Sequence, residues 1–170
     1  PIWQTMSAAT VSWTSTNTAT VTVVATTGLA TAVANGSAQV TATSGTATQN
    51  AGVTVAQVAA QLAKISGDAQ TATVGQALAQ ALVVQVNDSA AHPIAGATVT
   101  FAVTSGAGSV GTLSATTGGN GQAQTTWTVG QAVAAQTATA NVTGGLGVNF
   151  RATALPGAPH RVAKPAGAGQ

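Results

Sequence analysis

The sequence predicts an all-β chain of antiparallel sheets, and three observations carry that prediction. Apolar residues recur with period two, the mark of half-buried strands. Thr and Ala make up roughly two-fifths of the chain, and branched Thr suits a pleated surface while its hydroxyl meets water. Glycine and asparagine clusters separate the alternating runs at short intervals, as turns between strands do. The pattern is clearest over 94–129. There Ala97, Val99, Phe101 and Val103 share one face opposite Thr98 and Thr100. After a Gly118-Gly119-Asn120-Gly121 turn, Ala123, Thr125, Trp127 and Val129 alternate with Gln122, Gln124, Thr126 and Thr128 as a second strand.

The 170 residues are long enough for two modest β-sandwiches. In residues 1–56, Val11 and Trp13 share a face, and Val21 and Val23 mark a short strand. Leu29, Thr31 and Val33 read as the next strand. Asn35-Gly36 is a tight-turn signal, because both residues tolerate positive φ. Ala38, Val40 and Ala42 follow, a Ser44-Gly45 turn comes next, and Val53 and Val55 end the unit. Residues 57–61 read as a linker, and 62–155 as a second unit in which Val84 and Val86 precede a turn containing Asp88 and Pro93. With so many small side chains, the bulky candidates for the core are Trp13, Leu29, Leu62, Ile65, Leu82, Phe101, Trp127 and Phe150.

Charge excludes several functions. The net charge of +2 comes from Lys64, Arg151, Arg161 and Lys164 against Asp68 and Asp88. Nucleic acid is not an expected partner, since phosphate binding needs clustered cations and these are scattered without interleaved aromatics. No cysteine is present, so disulfides and thiolate metal sites are excluded. No cofactor or metal is expected: neither His92 nor His160 has a second ligand at suitable spacing. The two acids read as turn residues, no nucleophile motif occurs, and an enzyme is not expected. Irregular Thr-x-Thr pairs fit outward strand faces better than an ice-binding ladder. Residues 1–63 carry no charge, yet frequent Thr, Asn, Gln and Gly argue against a membrane-spanning helix.

Two family resemblances follow from these motifs. VSWTSTNTATVTVVATTGLATAVANGSAQVTATSG resembles the bacterial immunoglobulin-like group 2 domain, with Trp13, Gly28, Leu29, Thr31, Ala32, Gly36, Val40, Ala42 and Thr43 at matching places. ISGDAQTATVGQALAQALVVQVNDSAAHPIAGATVTFAV, then GNGQAQTTWTVG and FRATA, resembles the group 1 domain of invasin and intimin repeats. Its matches include Asp88, Pro93, Gly96, Phe101, Gly119, Asn120, Gly121, Trp127 and Phe150. The resemblance implies tandem immunoglobulin-like sandwiches. The structural core is expected at Trp13, Val84, Val86, Val99, Phe101, Trp127 and Phe150, and turns at Asn35, Gly36, Asp88, Pro93, Asn120 and Gly121. That family's usual D-x-x-G-N-P-V turn is DSAAHPI here, and its T-D-x-x-G turn has Gly118 where the acid is expected, which argues against the calcium coordination that acidic loop residues provide in some surface repeats.

The group 2 pattern has two strands before its tryptophan strand, and ten residues precede Val11 here. The first sandwich is therefore expected to be incomplete, with the chain starting inside a domain or another segment supplying the edge. Residues 156–170 read as a tail or as the start of a further repeat, because RVAKPAGAGQ parallels LAKISGDAQ. The resemblance implies a non-enzymatic module on the extracytoplasmic side of a bacterium, periplasmic or at the cell surface: a segment of a stalk or adhesin. Its partners would be proteins, such as a surface receptor or neighbouring repeats. Two alternatives stand beside it, an accessory subunit bracing a larger membrane complex and a filament protomer assembled by strand donation.

Overall fold

The computed structural model describes residues 10–159, and every described element is a strand. Of the stretch 156–170, expected as a tail or the start of a further repeat, residues 160–170 lie outside the described residues. Strands β1 (Ser12–Ser15), β2 (Val21–Val23), β3 (Ala30–Ala32), β4 (Gly36–Ser44) and β5 (Ala47–Val55) form the first group. Strands β1, β4 and β5 make one antiparallel sheet in the order β1-β4-β5, and β2 and β3 form a separate hairpin. The β4–β5 hairpin is long, running in register from Gly36↔Val55 to Ser44↔Ala47.

The core between these two layers is thin. Val21, Ala38 and Val40 are buried, and Trp13, Val23, Val53 and Val55 pack against them half-buried. The Trp13 ring lies directly over Gly28, where an added Cβ would come within 2.6 Å of its Cε2. Gly28 also has φ +73°, so only glycine satisfies both the turn and the ring. Leu29, a candidate for the core, is 66% exposed, and Val33 is 48% exposed. The reason is local: β3 is three residues long, all of them exposed, and pairs only with β2 among the described residues. The chain bends at Asn35-Gly36 but closes no hairpin there, because β3 and β4 belong to different sheets.

After residues 56–60 come β6 (Gln61–Ser66), β7 (Gln70–Thr73), β8 (Leu82–Asn87), β9 (Thr98–Ser105) and β10 (Ser109–Val110). They are followed by β11 (Ser114–Thr116), β12 (Gln122–Thr125), β13 (Trp127–Thr128), β14 (Ala135–Val142) and β15 (Leu146–Leu155). One sheet has the order β12-β8-β6, a second has β11-β9-β14-β15-β7, and β10 pairs with β13. Leu82, Val84 and Val86 from the first sheet meet Val99, Phe101, Ala138, Ala140, Phe150 and Ala152 from the second in one buried cluster. Trp127 is fully buried in the same cluster.

Three local expectations need correction. Ile65 is 49% exposed, because the β6–β8 register shifts between Lys64 and Ser66 and leaves it out of the ladder. The strand expected through 123–129 is broken at Thr126: β12 pairs with β8, while Trp127–Thr128 cross to pair with β10. Inward alternation survives the break, so Ala123, Thr125, Trp127 and Val129 are all buried. The Thr125 hydroxyl is satisfied there by accepting from Thr112 N (2.9 Å) and donating to Thr112 O (3.0 Å). Pairing is also not wholly antiparallel, since β7 runs parallel to β15 in register from Ala152↔Gln70 to Leu155↔Thr73. The chain leaves β6 in one sheet and enters β7 in the other without reversing direction, so the new neighbour is met parallel.

Candidate functional site

No described group of three or more His, Asp or Glu side chains could hold a metal ion, and the polar side chains converge instead on the junction between the two groups of strands. Asn35, between β3 and β4, uses both ends of its amide. Its Oδ1 accepts from the Gln57 backbone N–H, and its Nδ2 donates to Ala95 O at 3.3 Å. Gln57 Nε2 then donates to Asp88 Oδ2 at 3.1 Å. A third link is backbone only, Ala60 N–H to Asn87 O at 2.9 Å. Beside these bonds lies a cleft of about 240 Å³ lined by Asn35, Gln57, Ile94, Thr98, Val142 and Thr143. Gln57 Oε1 is buried there and accepts no hydrogen bond from the described residues.

Asp88 is held as an acceptor. Its Oδ1 takes the N–H groups of Ala90 and His92, both at 2.9 Å, which closes the turn after β8. The His92 amide first, and the Gln57 amide next, stabilise the charged carboxylate and lower its pKa below the ordinary aspartate value. His92 Nδ1 lies 3.5 Å from Oδ2. Pro93 bridges back to Asn87, and Ile94 N–H reaches Val86 O at 3.0 Å, so the whole turn folds onto the end of β8. At the same end of β8, Asn120 and Gly121 form the turn into β12, with Val86 N–H donating to Gly121 O at 2.9 Å and Asn120 Oδ1 accepting from Gln122 N–H at 3.1 Å.

Asp68 is the other acid. Lys64 hydrogen-bonds its Oδ2, and Arg151 N–H donates to Oδ1 at 2.8 Å. The Lys64 bond is the larger cause of its lowered pKa. Lys64 also donates to Asn149 O and sits 5.8 Å from the centre of the Phe150 ring, which ties β6 to β15 across the sandwich edge. The two acids therefore fasten different places and form no carboxylate pair.

Both shifts have the same consequence. Each folded-state pKa lies below the ordinary aspartate value, so the stabilisation is complete above that value and is lost as pH falls through the folded one. The melting temperature should hold between roughly pH 7 and 5 and decline below about pH 4. Asp88→Asn should flatten part of that decline in a series of thermal melts. A melting temperature that rises on acidification contradicts the assignment.

Sequence reasoning placed Asn35 and Asp88 in turns and missed what they hold. It also missed Gln57, which sits in an Ala-rich run where a glutamine reads as a solubilising residue. Nothing in the local sequence signals that its amide reaches a carboxylate 31 residues away.

Comparison with known proteins bears on the first group of strands. Residues 3–55 match the family model of the bacterial Ig-like domain (group 2). The Trp13–Gly28 contact, the β4–β5 hairpin and Asn35 all lie inside that bacterial Ig-like match. A search of curated proteins finds no match. Among solved structures, the chain resembles the S-layer protein SbsC domains 4 and 5, with 21% identity and a TM-score of 0.46, over 85% of this chain and 70% of that one. It spans only 20% and 24% of two longer SbsC structures. It also resembles the Yersinia pseudotuberculosis adhesin InvE, with 20% identity and a TM-score of 0.49, over 88% of this chain and 49% of that one. The D00-D0 domain of intimin shows 17% identity and a TM-score of 0.44, over 88% and 86%. Every described element is a strand, and the first group of strands carries the immunoglobulin-like match.

Proposed function

We propose that this chain is a non-enzymatic structural and binding module on the extracytoplasmic side of a bacterium, a segment of a surface stalk or adhesin. It acts through two units, residues 1–56 and 62–155, joined by 57–61, with 156–170 leading onward or serving as a tail. Its partners are proteins, either neighbouring repeats or a surface receptor. The bacterial Ig-like match of residues 3–55 supports the class, although a fold alone does not fix a task.

The observation that carries the reading is the junction. A flexible tether would leave the linker free, whereas here Asn35 holds the backbone of Gln57 and the carbonyl of Ala95 together. Such a junction keeps the binding surface of one unit at a fixed orientation to the next. A repeated surface scaffold needs that property. Asn35→Ala removes two hydrogen bonds worth about 0.5–1.5 kcal/mol each, so the opening equilibrium should shift by about five- to 150-fold. Limited proteolysis should then cut within 56–60 correspondingly faster, and small-angle scattering should show a broader distribution of sizes. If the unaltered chain is cut there as fast as the variant, the rigid-module reading fails.

A further inference from the structure

Asn35 is followed by a glycine, and the fold demands both residues. One side chain at position 35 must accept from Gln57 N–H and donate to Ala95 O, a pair of roles that an amide fills and a carboxylate cannot. Position 36 needs glycine, because its φ is +139° and an added Cβ would come within 2.9 Å of Thr20 Oγ1. Thr20 is itself buried and held: its Oγ1 accepts from Asn17 Nδ2 at 2.9 Å, and its carbonyl from Val33 N–H at 2.8 Å.

The same two residues are chemically labile. With no side chain on residue 36 to hinder it, the Gly36 backbone nitrogen can attack Asn35 Cγ. The new C–N bond closes a cyclic succinimide, the Cγ–Nδ2 bond breaks, and Nδ2 leaves as ammonia with the proton of Gly36 N–H. Water then adds to one of the ring carbonyls. Opening on the Cγ side gives aspartate, and opening on the main-chain side gives isoaspartate. Water enters, ammonia leaves, and nothing is oxidised or reduced. The closed junction opposes the first step, since bonds at both ends of the Asn35 amide keep Cγ from swinging towards Gly36 N, and Gly36 is paired with Val55.

We infer that Asn35-Gly36 is a deamidation site guarded by the junction, and that its conversion unlatches the two groups of strands for good. The inference rests on the junction reading given above. Aspartate has no Nδ2, so it sets a carboxylate oxygen against Ala95 O, two acceptors with no proton between them. Isoaspartate adds a methylene to the main chain between β3 and β4 and displaces the side chain from both partners. A transient opening is thereby recorded as a lasting change, and the module loosens with age. The chain carries its own reference in its other Asn-Gly, Asn120-Gly121. Asn120 is exposed, its Oδ1 accepts from Gln122 N–H, and Gly121 N–H donates to Gly118 O, so none of these bonds reaches the first group of strands.

The test is incubation of the full chain at mildly alkaline pH, with each site followed by peptide mass spectrometry. Asn35 should convert at least about fivefold more slowly in the folded chain than in urea. Gln57→Ala removes the link to Asp88, leaves both reacting residues in place, and should speed conversion of Asn35 about two- to twelvefold while leaving Asn120 unchanged. Asn35→Asp, made directly, should be cut within 56–60 as fast as Asn35→Ala. Equal rates at Asn35 in the folded and unfolded chains overturn the guarding, as do equal rates in the unaltered and Gln57→Ala chains. An Asn35→Asp chain cut no faster than the unaltered one, while Asn35→Ala is cut faster, overturns the release. Should Asn35→Ala itself be cut like the unaltered chain, the junction reading fails, and the inference with it.

Discussion

Phe101→Ala should lower the unfolding free energy of the β6–β15 sandwich by about 3–5 kcal/mol. Phe101 is 2% exposed and projects from β9, an interior strand of the five-stranded sheet, into the cluster that holds Trp127 and Phe150. The neighbours are mainly Val and Ala on paired strands, and Ala140, directly beside it in the register, has no length with which to fill the space. Strands held by ladders on both sides cannot close in, so most of the cavity should remain. For a domain of this size each kcal/mol corresponds to about 4–8 °C, so thermal melts should show the change plainly. A melting temperature within a few degrees of the unaltered chain would mean that Phe101 is not a packing anchor.

Gln136→Leu should destabilise the same sandwich by about 2–4 kcal/mol, although it replaces a polar side chain with an apolar one of similar size. Gln136 is 0% exposed. Its Oε1 accepts from Gly130 N–H at 2.8 Å, and its Nε2 donates to Ala132 O at 3.0 Å and Gly130 O at 3.3 Å. The amide thus takes the place of a strand partner for the loop between β13 and β14. Leucine would leave the buried Gly130 N–H unsatisfied and take a donor from the carbonyls of Gly130 and Ala132, a cost that exceeds the gain from apolar burial. Denaturant unfolding measures it. A Leu variant as stable as the original would show that water reaches the loop.

These two residues also mark what a sequence can reveal here. Phe101 stands out because period two over Ala97–Val103 assigns it a face, and a large side chain among Ala, Val and Thr has one plausible use. Gln136 has the same period-two neighbours, Ala138 and Ala140, but its polarity suggests the outer face. Its burial depends on where Gly130 comes to lie, which is a tertiary fact. The all-β class and the immunoglobulin-like arrangement were legible because alternation and turn residues agreed over long stretches. The exposure of Leu29 and Ile65 was not, because it is decided by absent neighbours for β3 and a register shift in β6. At the junction, Asn35 carried a turn signal strong enough to hide its second role, since Asn-Gly reads the same whether its amide is free or engaged.

The parallel placement of β7 beside β15 has a mechanical consequence. The chain enters this sandwich through β6 and β7 and leaves it through β15, so tension along the polypeptide pulls these two neighbours in opposite directions along their common axis. The register from Gln70↔Ala152 to Thr73↔Leu155 then resists in shear, all its hydrogen bonds strained together. An antiparallel closure at the same place would present its bonds to the pull one after another, like a zipper. The same few residues that change the direction of pairing thereby give the unit its resistance to extension.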